Sequence, residues 1–361
     1  MILAISSPKD DHATAVLQRL DALGVEARLL DLSAFPTELT VSMRYDSTGG
    51  AGAFRSHIGG QPLEEFGAVW WRRPQPFELP PELESEADRS FAYTECKSAL
   101  DGLWRVLDAS WVNHPTRDED AARKPYQPRV AQELGFEIPE TQVTNDPEQA
   151  RAFVDEHGPE GTVYKAFSGT EEAWRETRVF RENETELLDA VRHAPVIFQE
   201  YVPADVDLRI TVMGDHVFPA AIHSQETEYE VDYRMTIDSA RVEAVDLPDQ
   251  VLDRIRAYTD ELGLVYGAID MRRTPDGRYV FLEINPSGQW LFIERRTGQP
   301  MTDTFARLLA RRDHRTSHRA TETTAEAEDG TTEHLCAGPK AGGTDEAGPA
   351  GGPEAEAQDT D

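Results

Sequence analysis

Cysteine is nearly missing from this chain: Cys96 and Cys336 are the only two in 361 residues. A disulfide framework is therefore not expected, and a reducing, cytoplasmic setting is. No apolar run reaches the length needed to cross a bilayer. The opening Met1-Ile2-Leu3-Ala4-Ile5 is apolar but short and lacks a basic flank, so it reads as a buried first strand and not as a signal peptide. Bases are scarce: 36 Lys and Arg stand against 67 Asp and Glu, for a formal charge of −31. That balance is a poor match to a binder of nucleic acid or of an anionic membrane, both of which require basic surface. No internal repeat is visible.

What is present is enough for two or three domain-sized units, with 39% hydrophobic residues to build their cores. The strand ILAIS, a helical segment from Asp10 ending at Gly24, and the strand VEARLLDL form a βαβ start, which predicts a parallel α/β domain. LTVSMRY and AFRSHI flank a Gly-rich turn and read as an inserted hairpin. AVWWRRP is a further buried strand, a helix follows over 84–107, and WVNHP closes a first unit at 1–114. A second unit, 115–202, opens with a helix over ARKPYQPRVAQELG. It continues through strands PETQVT and TVYKAF around a helix at 147–157, and closes with PVIFQEYV. A third unit, 203–312, has strands DLRITVMG and HVFPAAIHSQ about a tight Gly214-Asp215 turn, then a helix at 247–262, an acidic hairpin and a last helix at 301–312. The remainder, 313–361, has 12 acidic and 3 basic residues and little apolar content, and is expected to be disordered.

The acidic hairpin GAIDMRRTPDGRYVFLEINPSGQW concentrates the chemistry. Glu283 and Asn285 are two apart on one strand, so they share a face. A two-residue turn at Asp276-Gly277 sets Asp270 opposite Glu283 and Ala268 opposite Asn285. Facing carboxylates repel unless a cation lies between them. Two acidic oxygens and an amide carbonyl make a hard oxygen site suited to magnesium beside a phosphate. A solvated pair on an exposed sheet is the plain alternative, and only the rest of the chain decides between them.

The order of features resembles the ATP-grasp ligases: Lys124 on a helix, Lys165 on a strand before the Gly-containing Ser168-Gly169 loop, Gln199-Glu200-Tyr201-Val202 at a strand end, Asp207-Leu208-Arg209, and last Asp270 with Glu283-x-Asn285. VWWRRP, DLRITVMGDHVFPAAIHSQ, the VDYR segment and FLEINPSGQW are similar to blocks of the graspetide (microviridin-type) synthetases. The resemblance spans nearly all of 1–312. It implies an ATP-grasp fold of α+β type preceded by a Rossmann-like α/β pre-ATP-grasp domain, and ATP with Mg2+, two ions, as cofactors. It also implies a reaction that joins Asp or Glu side chains of a ribosomally made precursor peptide to Ser/Thr hydroxyls or Lys amines. The expected partner is such a peptide with an acidic core, and the expected assembly a homodimer. Rival readings are a protein glutamate ligase related to ribosomal-protein-modifying enzymes, and a non-catalytic nucleotide-binding regulator.

Within that resemblance each residue has a physical role. Lys124 and Lys165 are point charges for the α- and β-phosphates. Alone, Lys124 would read as a solvated lysine, whereas Lys165 alternates with Val163 and Phe167 on a core-like strand and so demands an anionic partner. Ser168 and Gly169 supply a lid over phosphate. Gln199, Glu200, Tyr201 and Val202 form the adenine hinge. Asp207 is expected on the ribose or on Arg209, and Arg209 and Arg234 are the cations for the transferring phosphoryl group. Trp70 shares a strand face with Arg72, and Trp71 with Arg73. Arg72 and Arg73 are the candidates to grip an acidic peptide in a protein of this charge. His114 and His223 are isolated histidines, read as structural.

Overall fold

The computed structural model describes residues 1–47, 54–167, 177–229 and 231–313. The chain divides into two units, Met1–His318 and Arg319–Asp361, and the second lies outside the described residues. The expectation of disorder over 313–361 therefore falls outside them too, except at Asp313. That residue is buried and ion-paired with the Met1 amino group at 2.7 Å.

The chain opens as its βαβ pattern predicts. β1 (Ile2–Ile5) is buried along its length, α1 (Asp11–Ala22) follows, and β2 (Ala27–Leu30) pairs parallel with β1. The Asp10 side chain caps α1 by accepting from the His12 amide. β3 (Val41–Tyr45), β4 (Phe54–Ile58) and β5 (Gln61–Pro62) form a separate antiparallel sheet. β6 (Ala68–Trp71) returns beside β1, α2 (Glu86–Val106) crosses over, and β7 (Ser110–Val112) completes a parallel sheet of order β2-β1-β6-β7.

The helix expected over 122–135 is broken. α3 (Pro115–Ala121) and α4 (Tyr126–Glu133) flank a turn that contains Lys124. Pro125 cannot donate to a helical ladder and disfavours α geometry at the residue before it. Lys124 thus sits on a turn and not on a helix. β8 (Thr141–Thr144), α5 (Pro147–His157), β9 (Thr162–Lys165), β10 (Arg178–Val179) and β11 (Val196–Glu200) make a second, antiparallel sheet of order β10-β9-β11-β8. β9 stops at Lys165, and Phe167, expected inside it, is exposed.

The third sheet, β14-β13-β12-β15-β16, carries the acidic hairpin. β12 (Val206–Met213) and β13 (His216–Ile222) are joined by the expected Gly214-Asp215 turn, with Met213 opposite His216. β14 (Val242–Ala244) lies at one edge, and α6 (Asp249–Glu261) precedes β15 (Tyr266–Arg273) and β16 (Tyr279–Asn285). One face of this sheet presents Leu208, Ile210, Ile269, Met271, Phe281 and Ile284 to a core with α4 and α6. α7 (Leu291–Thr297), not expected from the residue pattern, and α8 (Met301–Arg312) close the described chain. Trp290, Phe305 and Leu309 share one core with Ile2, Val16 and Trp70, so the first sheet and the last helices bury each other's apolar faces. Among the described residues no helix is long and apolar enough to cross a membrane.

Candidate functional site

Strand alternation decides which side chains leave the core of the third sheet. On β12, Leu208 and Ile210 point inward, so Asp207 and Arg209 take the other face; on β15, Ile269 and Met271 point inward, so Asp270 does the same. Asp270 stands opposite Arg209 on one side and Glu283 on the other, and Ala268 stands opposite Asn285. The expected register is present, but not through the expected turn. Thr274 and Arg278 close a longer loop: the Gly277 amide bonds to Thr274 O, and Thr274 Oγ1 accepts from the Arg278 amide. A bulge restores the pairing, because Met271 faces Phe281 while Asp270 faces Glu283, leaving Leu282 as the extra residue. In a regular strand Phe281 and Glu283, two apart, would share a face; the bulge at Leu282 lets Phe281 enter the core and Glu283 the cleft.

The cleft is lined by Lys124, Lys165, Gln199 to Val202, Asp207, Asp270, Arg272, Glu283 and the loop carrying Tyr233 and Arg234. Arg209 Nη1 lies 2.9 and 3.0 Å from the two Asp270 oxygens, and the Tyr233 hydroxyl donates to Oδ1 at 2.9 Å. Burial raises the Asp270 carboxyl against the opposing pull of Arg209. Burial likewise keeps Tyr233 a phenol, and hence a donor. Glu283 is 3.5 Å from Lys124 Nζ. Although burial works against its charge, Lys124, Lys165 and Arg234 hold it at about 2. Lys165 donates to Gln199 Oε1 at 3.2 Å, and burial pulls its ammonium downward against the attraction of Glu283. Protein cations therefore already sit around the two carboxylates that the sequence alone left to a metal.

Other expected residues are placed differently. Asp207 does not orient Arg209: its Oδ1 accepts from Arg272 Nε at 2.9 Å and its Oδ2 from the Ser224 hydroxyl. Asn285 turns its Oδ1 to the Ser287 amide at 2.9 Å and does not line the lysine cleft. Arg234 is held by Asp232, with Nε at 2.7 Å. Arg72 is 1% exposed and does not open onto a cleft; its Nη1 bonds Ser287 O and Gly288 O, both at 2.7 Å, and its Nε bonds Asp10 at 3.0 Å. Arg73, half-buried, reaches Ser287 O at 3.3 Å. His114 caps α3 through Nδ1, and His223 pairs with Glu243. Ser168 and Gly169 lie outside the described residues.

Three residues of the site were missed by sequence reasoning. Arg272 bonds Asp207, Val202 O at 2.6 Å and Val231 O at 2.9 Å, and its guanidinium lies 5.3 Å from the Tyr201 ring. It ties the hinge to the third sheet, and its spacing of two from Asp270 was the signal. Gln127 pairs with both backbone groups of Ile284 at 2.9 and 3.1 Å, docking the Lys124 turn beside β16. Tyr233, neighbour of the expected Arg234, had no signal of its own. Glu200 and Tyr201 donate their amides to Glu140 O and Gly161 O, whereas the Val202 amide has no acceptor among the described residues.

Comparison with known proteins adds three findings. The MvdD pre-ATP grasp domain family matches residues 1–119. A search of curated proteins finds no match. Among solved structures, the macrocyclase MdnC bound with precursor peptide MdnA, from Microcystis aeruginosa MRC, is 30% identical with a TM-score of 0.74, covering 85% of this chain and 98% of that one. A Chryseobacterium gregarium RiPP-associated ATP-grasp ligase in complex with ADP and a leader and core peptide is 28% identical, TM-score 0.75, covering 86% and 96%. The ATP-grasp ligase PsnB complexed with minimal precursor, Mg and ADP is 25% identical, TM-score 0.70, covering 86% and 97%.

Proposed function

Because the chain belongs to the ATP-grasp ligases that mature ribosomally made peptides, it is an ATP-dependent ligase, and we propose that it activates Asp or Glu side chains of a precursor peptide and joins them to Ser/Thr hydroxyls or Lys amines. The observation that carries this reading is the convergence of Lys124, Lys165, Arg209 and Arg234 on the facing carboxylates Asp270 and Glu283, beside a hinge with a spare amide.

Adenine fits the hinge, with the Val202 N–H as donor and the Glu200 carbonyl as acceptor, and Tyr201 fixed by Arg272. Lys165 and Lys124 hold phosphate oxygens; the downward pull of burial on Lys165 is relieved by an anionic partner. Asp270 and Glu283 are the residues to hold magnesium; Asn285, two residues further along β16, has its Oδ1 occupied by the Ser287 amide. The donor set fits: two carboxylates opposite one another, the second ionised throughout the ordinary pH range. Bound there, magnesium would neutralise charge on the phosphates.

The reaction balances in two steps. A substrate carboxylate oxygen attacks the γ-phosphorus of ATP, the bond to ADP breaks, and an acyl phosphate forms. A hydroxyl or amine then attacks the acyl carbon, loses its proton, and releases phosphate, leaving an ester or amide. Arg209 and Arg234 stabilise charge on the transferring group, and Arg73 is the remaining candidate for a peptide carboxylate. No protein nucleophile is needed, since catalysis here is positioning and charge stabilisation.

The test is to incubate the full chain with ATP, Mg2+ and short Thr/Lys- and Asp/Glu-containing peptides encoded beside its gene. ADP release with loss of one water per crosslink supports the proposal. A gain of amino-acid mass indicates a glutamate ligase, and binding without ADP release a regulator; either overturns it.

A further inference from the structure

The loop 286–291 follows directly on Asn285, and its backbone is held largely by the N-terminal part of the chain. Asn113 Nδ2 donates to Pro286 O at 3.1 Å. Arg72 Nη1 donates to Ser287 O and Gly288 O, both at 2.7 Å. His12 Nε2 accepts from the Trp290 and Leu291 amides at 2.9 and 3.2 Å, at the start of α7. Between these anchors, Gln289 O accepts from Arg209 Nη2 at 3.2 Å, the same guanidinium that grips Asp270.

The anchors are themselves fixed. Asp10 accepts from Arg72 Nε at 3.0 Å, from Ser6 Oγ at 2.9 Å and from the His12 amide at 2.9 Å. Burial opposes the Asp10 charge, but His12 and Arg72 hold its carboxyl well below the usual range. The Arg72 guanidinium lies 5.3 Å from the Trp290 ring, and His12 meets the same ring edge-on at 4.5 Å. A buried arginine with an acid on one side and two carbonyls on the other is a geometric clamp, not a free cation.

We propose that Arg72, with Asp10, His12 and Asn113, is a positioning set that holds the 286–291 loop and thereby fixes Arg209, through Gln289 O, against Asp270 in the nucleotide and metal site. The inference rests on the ligase reading for what the site binds. The N-terminal sheet then serves the site by position, through the loop that Arg72 and His12 hold.

The test compares wild type with Arg72→Met and Arg72→Lys in the full chain. Amide hydrogen exchange over 287–291 is read without ligand. Binding of a non-hydrolysable ATP analogue is read with and without Mg2+. The clamp predicts that Arg72→Met speeds loop exchange by about tenfold or more while amides of β12 keep their protection. It also predicts loss of most of the Mg2+-dependent gain in affinity with Mg2+-free affinity within about twofold, and partial restoration in Arg72→Lys. Unchanged loop exchange together with unchanged Mg2+ dependence would overturn it. Should Arg72→Met not fold, His12→Phe removes the acceptor of the Trp290 and Leu291 amides and is read the same way. If wild type shows no Mg2+-dependent binding, the ligase reading fails, and the exchange measurement still decides the clamp.

Discussion

Arg209 and Asp270 occupy directly opposed positions on β12 and β15, and one guanidinium nitrogen spans both carboxylate oxygens at 2.9 and 3.0 Å. The pair is largely shielded from water, so neither charge is cheaply left alone. Arg209→Met should therefore destabilise the protein by about 3–5 kcal/mol, and Asp270→Asn by a similar amount. The double variant should recover part of that loss. Urea unfolding of the four proteins in a double-mutant cycle checks this; additive losses would mean the pair is not coupled.

Glu283 is the second carboxylate, and its charge is set by its neighbours. Glu283→Gln should keep the fold but cost about tenfold or more, ~1.4 kcal/mol, of the Mg2+-dependent part of nucleotide affinity. Calorimetric titration with and without Mg2+ separates the two parts. The stability that the ionised Glu283 contributes is present above its unfolded value and is lost as pH falls through about 2.

Asp118 behaves in the opposite sense. Burial lifts its carboxyl to about 6, opposed by hydrogen bonds from Ser287 and Asn113. The folded state therefore holds its proton to higher pH than the unfolded state, and this group loses stability as pH rises from about 4 to about 6. Asp118→Asn should gain on wild type across that window, by on the order of 2 kcal/mol, and the gain should level off above it. Denaturant titrations at several pH values measure the difference, and a flat difference would contradict the assignment.

Gly288 is required by space and not by its backbone angles. A Cβ there would come 2.4 Å from the Ala268 Cβ and 2.8 Å from Arg209 Nη2. Gly298, at φ +71, has open space around it. Gly288→Ala should cost roughly 1–3 kcal/mol and displace Arg209, while Gly298→Ala should cost only the left-handed backbone term of about 1–2 kcal/mol and leave ligand binding alone. Melting curves together with nucleotide titrations distinguish the two.

Much of the architecture was legible because it follows from local periodicity. The 147–157 and 301–312 helices, the Gly214-Asp215 turn and the pairing of Asp270 with Glu283 all occur where the residue pattern puts them. The pairing was nevertheless reached by a different route, a longer turn compensated by the Leu282 bulge. A bulge has no single-residue signature, because it is stabilised by what the two faces of the sheet then meet.

Alternation along the chain assigned Arg72 to the face of Trp70, and in the fold the Arg72 guanidinium lies 6.0 Å from the Trp70 ring. What lies over a face is a matter of distant segments. Arg72 was compatible with an open cleft until the 286–291 loop and Trp290 covered it, and Asp207 with Arg209 until Arg272 and Ser224 arrived from other elements. The sequence by itself determined which residues share a side, since that depends on bond geometry between neighbours. Only the tertiary structure decided which of those sides became a binding cleft and which became a buried joint, since that depends on apolar surfaces far apart in the chain finding one another.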